Sequence, residues 1–280
     1  MSMRLMRFKD GREKAVTLSY DDGVHQDKRL VDIMDKYGIK GTFNISSAMI
    51  GKTGSASRAM SAEEVVDTYT KTGHEVAIHG HTHPYLESLD SGHCVFEVIE
   101  NRRILENILG TIVKGSAYPF GTYNDEVVDI LKKCGIKYAR TVESTHKFNI
   151  PTDWLRMPAT CHHNDEKLFE LVDEFLNQKM IRKPLLFYLW GHSYEFDNDN
   201  NWDRIEKFCE LIGGHEDIWY ATNIEICEYV EAYNALEVSA DGTIIHNPTL
   251  TDVWMYDDSV GGFKNGKTYC IKSGETIVIE

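Results

Sequence analysis

Ala15-Val16-Thr17-Leu18-Ser19-Tyr20-Asp21-Asp22-Gly23 runs from an apolar stretch directly into two adjacent carboxylates and a glycine. Ala15 to Leu18 has the composition of a buried strand, and the doublet at its end is the anomaly. Two anions side by side repel each other and are costly to desolvate. They are tolerated where a cation sits beside them, where one of them works as a base, or where Asp-Gly makes a solvated turn. The surrounding chain decides among these.

Downstream, Gln26 to Tyr37 carries Leu30, Ile33 and Met34 at helical spacing, and Gly38 stands where a helix closes. Gly41 to Ile45 is a second strand, 51–60 is a Gly/Ser-rich loop, and Ser61-Ala62-Glu63-Glu64 starts a helix with a cap residue and an acidic first turn. Glu75 to Ile78 is a third strand, followed at once by His79-Gly80-His81-Thr82-His83-Pro84. Strand and helix keep alternating: a helix near 90–109, a strand at Ile112 to Ala117, a helix at Asp125 to Lys133, and a strand at Lys137 to Ala139. A helix at Asp165 to Gln178, a strand at Pro184 to Trp190, a helix at Asp203 to Ile212, a strand at Ile218 to Ala221 and a helix at Ile224 to Ala235 complete the series. Such alternation predicts an α/β fold with a parallel sheet or barrel and right-handed crossovers. In barrels the chemistry lies where strands end and βα loops begin. The unusual polar clusters at 19–23, 79–84, 117–121 and 191–192 all fall at such points.

The pattern changes after Ala235. Leu236 to Val238, the turn pair Asp241-Gly242, and Thr243 to Ile245 predict a hairpin, with further short strands at Val253 to Tyr256, Thr268 to Ile271 and Thr276 to Ile279. The expected division is a barrel over 1–235 and a small β appendage over 236–280 that packs on it.

The 280 residues are 42% hydrophobic and 26% charged, an ordinary globular composition, and the net charge is −14 with His neutral. So acidic a chain argues against nucleic acid and anionic membrane as partners and suits a neutral or cationic substrate. The six cysteines stand singly, without metal-type spacing, and are expected to be reduced. With no signal-length apolar run in Met1 to Lys9 and no transmembrane window, the expected location is cytoplasmic.

His79, His81 and His83 alternate, so an extended strand would put all three on one side, whereas a loop would let 79 and 83 converge. Two imidazoles and a carboxylate with open positions make a hydrolytic metal site, and a His-rich loop can equally be no more than exposed and polar.

Taken with their order, these clusters resemble those of the polysaccharide deacetylases, carbohydrate esterase family four. Ser19 to Gly23 is similar to that family's Thr-Phe-Asp-Asp-Gly, and His79 to Pro84 to its His-(Ser/Thr)-x-x-His-Pro, with Gly80 in place of Ser or Thr. Pro119-Phe120-Gly121 is similar to Arg-x-Pro-(Tyr/Phe)-Gly, with Ala117 where the arginine stands. Leu189 to His192 is similar to Leu-x-His with Gly191 added, and Asp153-Trp154 loosely resembles an Asp-Trp motif. The resemblance covers roughly residues 10–230. It implies a distorted (β/α)7-type barrel and a divalent metal held by Asp22, His79 and His83. Zinc is the usual ion, and Co2+, Ni2+ or Mn2+ suit the same donors. It also implies Asp21 as general base, His192 as general acid, and an N- or O-acetylated carbohydrate as substrate, deacetylated hydrolytically. The rival expectations are a metal-independent amidohydrolase on the same barrel and a non-catalytic sugar-binding protein.

Two departures carry their own expectations. Arg156 is the candidate to replace the arginine missing at 117, its alternative being an ordinary ion pair. Thr160-Cys161-His162-His163-Asn164-Asp165 reads as a loop with a helix start at Asn164 or Asp165, its histidines being ligands only as a lesser alternative. Tyr118, Pro119, Phe120, Trp154 and Trp190 are the candidate substrate contacts, the two tryptophans as a sugar-facing wall.

Overall fold

Arg4–Arg7 (β1) precedes Lys14–Asp21 (β2), which is buried along its whole length as a strand covered on both faces must be. The computed structural model describes residues 4–52, 58–179, 182–258 and 266–279. The middle of the expected 51–60 loop and the Gly-rich turn at 259–265 lie outside the described residues. Beyond β2 come α1 (Asp27–Lys36), β3 (Gly41–Ile45), α2 (Ala62–Tyr69), β4 (Glu75–Ile78), α3 (Ser91–Leu109), β5 (Gly115–Ala117) and α4 (Asp125–Lys133). The second half contributes β6 (Tyr138–Ser144), β7 (Met157–Ala159), β8 (Cys161–His162), α5 (Leu168–Asn177), β9 (Leu185–Gly191), α6 (Tyr194–Asn198), α7 (Trp202–Ile212), β10 (Ile218–Tyr220) and α8 (Asn223–Asn234).

The strands form one parallel sheet in the order β7-β6-β5-β4-β3-β2-β9-β8, with β10 beside the first residues of β2. Its two ends meet, because β7 and β8 are one extended stretch. Met157–Ala159 pairs with β6, Cys161–His162 pairs with β9, and between them the Thr160 N–H donates to the Tyr188 carbonyl at 2.8 Å. This is a nearly closed, distorted (β/α)7-type barrel. The segment 160–165 is therefore partly strand, and the following helix starts at Leu168 rather than at Asn164 or Asp165. The apolar pattern conceals this short strand, because Pro158 and the polar run after Cys161 interrupt it.

Alternation within each strand sorts side chains into two layers. Val16, Leu18 and Tyr20 join Phe43, Ile45, Phe187 and Leu189 in the core beneath the helices. Ala15, Tyr138, Met157, Leu186, Tyr188 and Trp190 line the inside with Ile226 and Cys227 of α8. The interior also holds a polar column. Thr17 donates to Asn223, Asn223 donates to the Tyr188 hydroxyl, and Glu75 accepts from Thr42, Tyr138 and the Ile224 N–H. The start of α8 thus closes one end of the barrel, and the strand C-termini open at the other.

After α8 come β11 (Glu237–Val238), β12 (Ile244–His246), β13 (Val253–Asp257), β14 (Lys267–Ile271) and β15 (Thr276–Val278), in two antiparallel sheets. One is β11-β12-β15, with the expected turn at Asp241-Gly242. The other takes in β1, so that Arg4–Arg7 of the expected 1–235 unit lies in the appendage's sheet. The Tyr229 hydroxyl ties this sheet to α8, donating to the Arg7 carbonyl at 2.6 Å and accepting from the Trp254 N–H at 2.9 Å. Among the described residues, no helix is long and apolar enough to cross a membrane.

Candidate active site

Asp21 is the last residue of β2, its side chain turned into the barrel and 2% exposed. Its Oδ1 accepts from Asn44 Nδ2 at 2.8 Å and its Oδ2 accepts from the Arg140 guanidinium. Burial works to raise this carboxyl, but the charge of Arg140, with His79 and His192 behind it, holds it down at about 2. Asp21 is therefore an anion held in one orientation.

The next residue leaves the strand abruptly. Asp22 has φ 79 and Gly23 φ 63, which turns the Asp22 side chain away from its neighbour and towards the loop after β4. That loop is bent at Gly80 (φ 71) and His83 (φ 60), which breaks the alternation that would have aligned 79, 81 and 83. His79 and His83 converge with Nε2 atoms 3.2 Å apart, while His81 Nδ1 faces Ser47 Oγ at 2.9 Å. A side chain at position 80 has no room, since its Cβ would lie 2.9 Å from Pro84 Cδ. The loop is anchored instead by Thr82, whose N–H and hydroxyl both donate to Glu97.

Asp22 Oδ1 lies 3.7 Å from His83 Nε2 and 3.9 Å from His79 Nε2. Together these three could hold a metal ion. Their protonation fits the task. The Ala117 carbonyl can only accept, so His79 Nδ1, 2.9 Å from it, carries the ring proton and Nε2 presents its lone pair to Asp22 and His83. Burial lowers the His79 imidazole, against the pull of Asp21 and Asp22, and so favours that neutral, ligating form. The 3.2 Å separation also suits two nitrogens bonded to one ion at about 2.0–2.1 Å.

His192 follows β9 across the mouth of the barrel, with Nε2 3.8 Å from Asp21 Oδ2 and Nδ1 3.4 Å from Glu195 Oε1. Burial pulls its imidazole down, but Glu195 and then the charges of Asp21 and Asp22 leave it raised. Asp21, Asp22, His79, His83 and His192 are thus brought together at the ends of β2, β4 and β9.

Arg156 is not with them. It is bound to Asp125 Oδ1 at 2.6 Å and to Asp153 Oδ2 at 2.7 Å, and those two carboxylates hold it outside the barrel. The guanidinium beside Asp21 belongs to Arg140, fully buried on β6. Arg140 is the register partner of Ala117, so the cation enters from the neighbouring strand. It lies over the Trp190 ring, 4.4 Å from the centroid. Sequence reasoning ended this strand at Ala139; the signal was the continued alternation Tyr138, Arg140 on the inner face.

The substrate candidates separate in the same way. Phe120, in a left-handed turn (φ 57), is half exposed, packs edge-on to His83 at 4.5 Å and stacks on Tyr85 at 3.9 Å. Pro119 beside it is buried. Tyr118 is buried and donates to the Leu155 carbonyl. Trp190 is covered by Arg140 and His162, and Trp154 packs against the cluster of Phe8, Met157 and Val230. Neither tryptophan is an open wall; Phe120 with Tyr85 is the exposed aromatic surface next to the histidines.

Residues 8–139 match the family model described as polysaccharide deacetylase. The chain is 30% identical over 120 residues to chitin deacetylase 1 of Cryptococcus neoformans var. grubii, across 42% of this chain and 24% of that protein. It is 27% identical over 147 residues to YxkH of Bacillus subtilis, across 51% of this chain and 50% of that protein. The matches therefore span a quarter to a half of the length of these curated relatives. Among solved structures, the Xyl-CE4 domain of a multidomain xylanase from the hindgut metagenome of Trinervitermes trinervoides superposes with a TM-score of 0.51 at 16% identity. That superposition covers 79% of this chain and 92% of the other, and it shows a shared fold.

Proposed function

This chain belongs to the polysaccharide deacetylase family through its residues 8–139, and from that premise we propose that it is a metal-dependent hydrolase removing acetyl groups from an N- or O-acetylated carbohydrate. The observation that carries the reading is the convergence of Asp22, His79 and His83, with the lone pair of His79 Nε2 directed at the other two, beside the ionised Asp21. A divalent ion held there, zinc in the first instance, would polarise the acetyl carbonyl and acidify water.

The remaining work falls to the chain's own groups. Asp21 takes the proton of the attacking water on a carboxylate oxygen, while Arg140 and Asn44 keep that carboxylate aimed. The Phe120 backbone N–H is the proposed donor to the developing oxyanion. His192 gives its Nε2 proton to the departing sugar amine or alcohol, and its raised imidazole keeps that proton available near neutrality. Phe120 and Tyr85 offer a flat apolar surface against which a sugar ring packs.

The test is acetate release from chitooligosaccharides, peptidoglycan fragments and acetylated xylan, with and without chelator. Release abolished by chelation and restored by zinc is the expected result. Release indifferent to chelation would make the protein a metal-independent amidohydrolase. No release with any divalent ion, together with binding of the same oligosaccharides, would make it a sugar-binding protein.

A further inference from the structure

We propose that Glu195 is the positioning residue for His192, and that His162 and His163 hold Glu195 in place for that purpose. The inference rests on the deacetylase reading for what His192 does, and on geometry alone for how it is held. Glu195 lies in the first turn of α6, three residues after His192. Its Oε2 is 3.2 Å from His162 Nε2 and 2.9 Å from His163 Nε2, and its Oε1 is 3.4 Å from His192 Nδ1. One carboxylate therefore faces three imidazoles.

Two histidines and a glutamate also have the makeup of a cation site. The proton on His162 decides between the readings. The Asn164 N–H donates to His162 Nδ1 at 3.1 Å, so in the neutral ring the hydrogen is on Nε2, facing Glu195. This is the reverse of His79, where a carbonyl takes the Nδ1 proton and frees Nε2. The first cluster is prepared for a metal and the second for a carboxylate.

His163 is the rigid part. It is wholly buried, stacked on Tyr20 at 5.7 Å and packed on Phe196 at 4.2 Å. Gly191 makes room for it, because a Cβ there would stand 2.1 Å from His163 Nδ1. The extra glycine between Trp190 and His192 thus has a physical reason. Burial alone would raise Glu195, but the three imidazoles hold it well below the usual carboxylate range. With Nδ1 of His192 turned to that fixed anion, Nε2 is turned to Asp21. The charged and titratable groups facing His192 are Asp21 and Asp22 from the end of β2, His163 after β8, and Glu195 and Tyr194 of α6. In the reaction His192 passes its Nε2 proton to the leaving group and keeps its Nδ1 proton against Glu195, so no other reactant is needed.

The test compares the zinc-loaded protein with Glu195→Gln and Glu195→Asp. It measures kcat and KM on chitooligosaccharides, bound zinc, and the His192 ring nitrogens by long-range 1H–15N correlation assigned with His192→Asn. Glu195→Gln is expected to lower kcat roughly 10–100-fold, a part of what a positioned general acid supplies. The alkaline limb of its pH profile should move to lower pH, because the variant no longer stabilises protonated His192. KM and zinc content should hold, and Glu195→Asp should recover part of the loss. An unchanged kcat and alkaline limb would overturn the proposal. So would a second bound zinc in the wild type that His163→Ala removes. If the wild type releases no acetate, the functional reading fails by itself, and the His192 Nδ1–H signal, present in the wild type and altered in Glu195→Gln, still decides how that ring is held.

Discussion

Arg140 and Asp21, on β6 and β2, meet inside the barrel as a fully buried ion pair backed by the face of Trp190. Removing one member of such a pair leaves an uncompensated buried charge, which costs about 3–5 kcal/mol. Arg140→Met should therefore lower the unfolding free energy by about that much and cut turnover at least about tenfold, since Asp21 loses its aim. Arg156→Ala should leave turnover within about twofold, because a surface ion pair is worth only about 0–1 kcal/mol. Urea unfolding and acetate release on both variants check this, and a large loss in Arg156→Ala alone would reverse the assignment.

Zinc affinity should follow Asp22, His79 and His83 and not the neighbouring His192. Zinc at about 100 times its Kd should stabilise the wild type by about 2.7 kcal/mol. That gain should vanish in Asp22→Ala and His79→Ala and persist in His192→Asn. Thermal scans with and without zinc, paired with metal analysis, test this without substrate.

Gly191→Ala sets a methyl group against His163 and should destabilise by about 1–3 kcal/mol, the usual cost of overpacking. Combining it with His163→Ala removes the clash. A double variant whose loss is well below the sum of the two single losses is the expected outcome, and simple additivity would exclude the contact.

Glu75 gives the fold a pH dependence of its own. Burial raises its carboxyl to about 7, against the donors Ile224 N–H, Tyr138 and Thr42. A carboxyl raised in the folded state contributes stability that is full below its unfolded value and is lost as pH rises through the folded one. The wild type should thus lose stability between about pH 4.5 and pH 7 from this source, and Glu75→Gln should flatten that part of the profile. Gln can accept from Thr42 and Ile224 through its oxygen while donating to Tyr138. Urea midpoints at pH 5 and pH 8 decide the matter: an equal slope in both proteins would clear Glu75 of the effect.

The barrel and the proposed metal and acid-base positions were legible because each strand is an apolar run that stops at a polar break. Asp21, Asp22, His79, His83 and His192 all stand at such breaks. Arg140 was not legible, since it lies inside a strand and its meeting with Asp21 depends on the register Ala117↔Arg140 across β5 and β6. The covering of Trp190 has no sequence signal for a related reason. This residue shares the inner face with Leu186 and Tyr188, and the barrel curvature that brings Arg140 over it has no local signature. Glu195 had no pattern to announce it, being an acidic residue in a short polar helix. The glycine at 191 was visible as an insertion, but only the packing of His163 gives it a reason.

The pairing of β1 with β13, which sets Arg4 opposite Asp257, has a temporal consequence. Closing a contact between strands so far apart in sequence carries a large loop entropy. During synthesis the strand at Arg4–Arg7 has no partner until Asp257 has left the ribosome, so the barrel's neighbouring strands pair while β1 still waits. A strand pair closed over so long a separation is expected to act as a clasp rather than a nucleus: its loss should speed unfolding while scarcely slowing folding, as stopped-flow folding and unfolding rates of an Arg4→Pro variant would read.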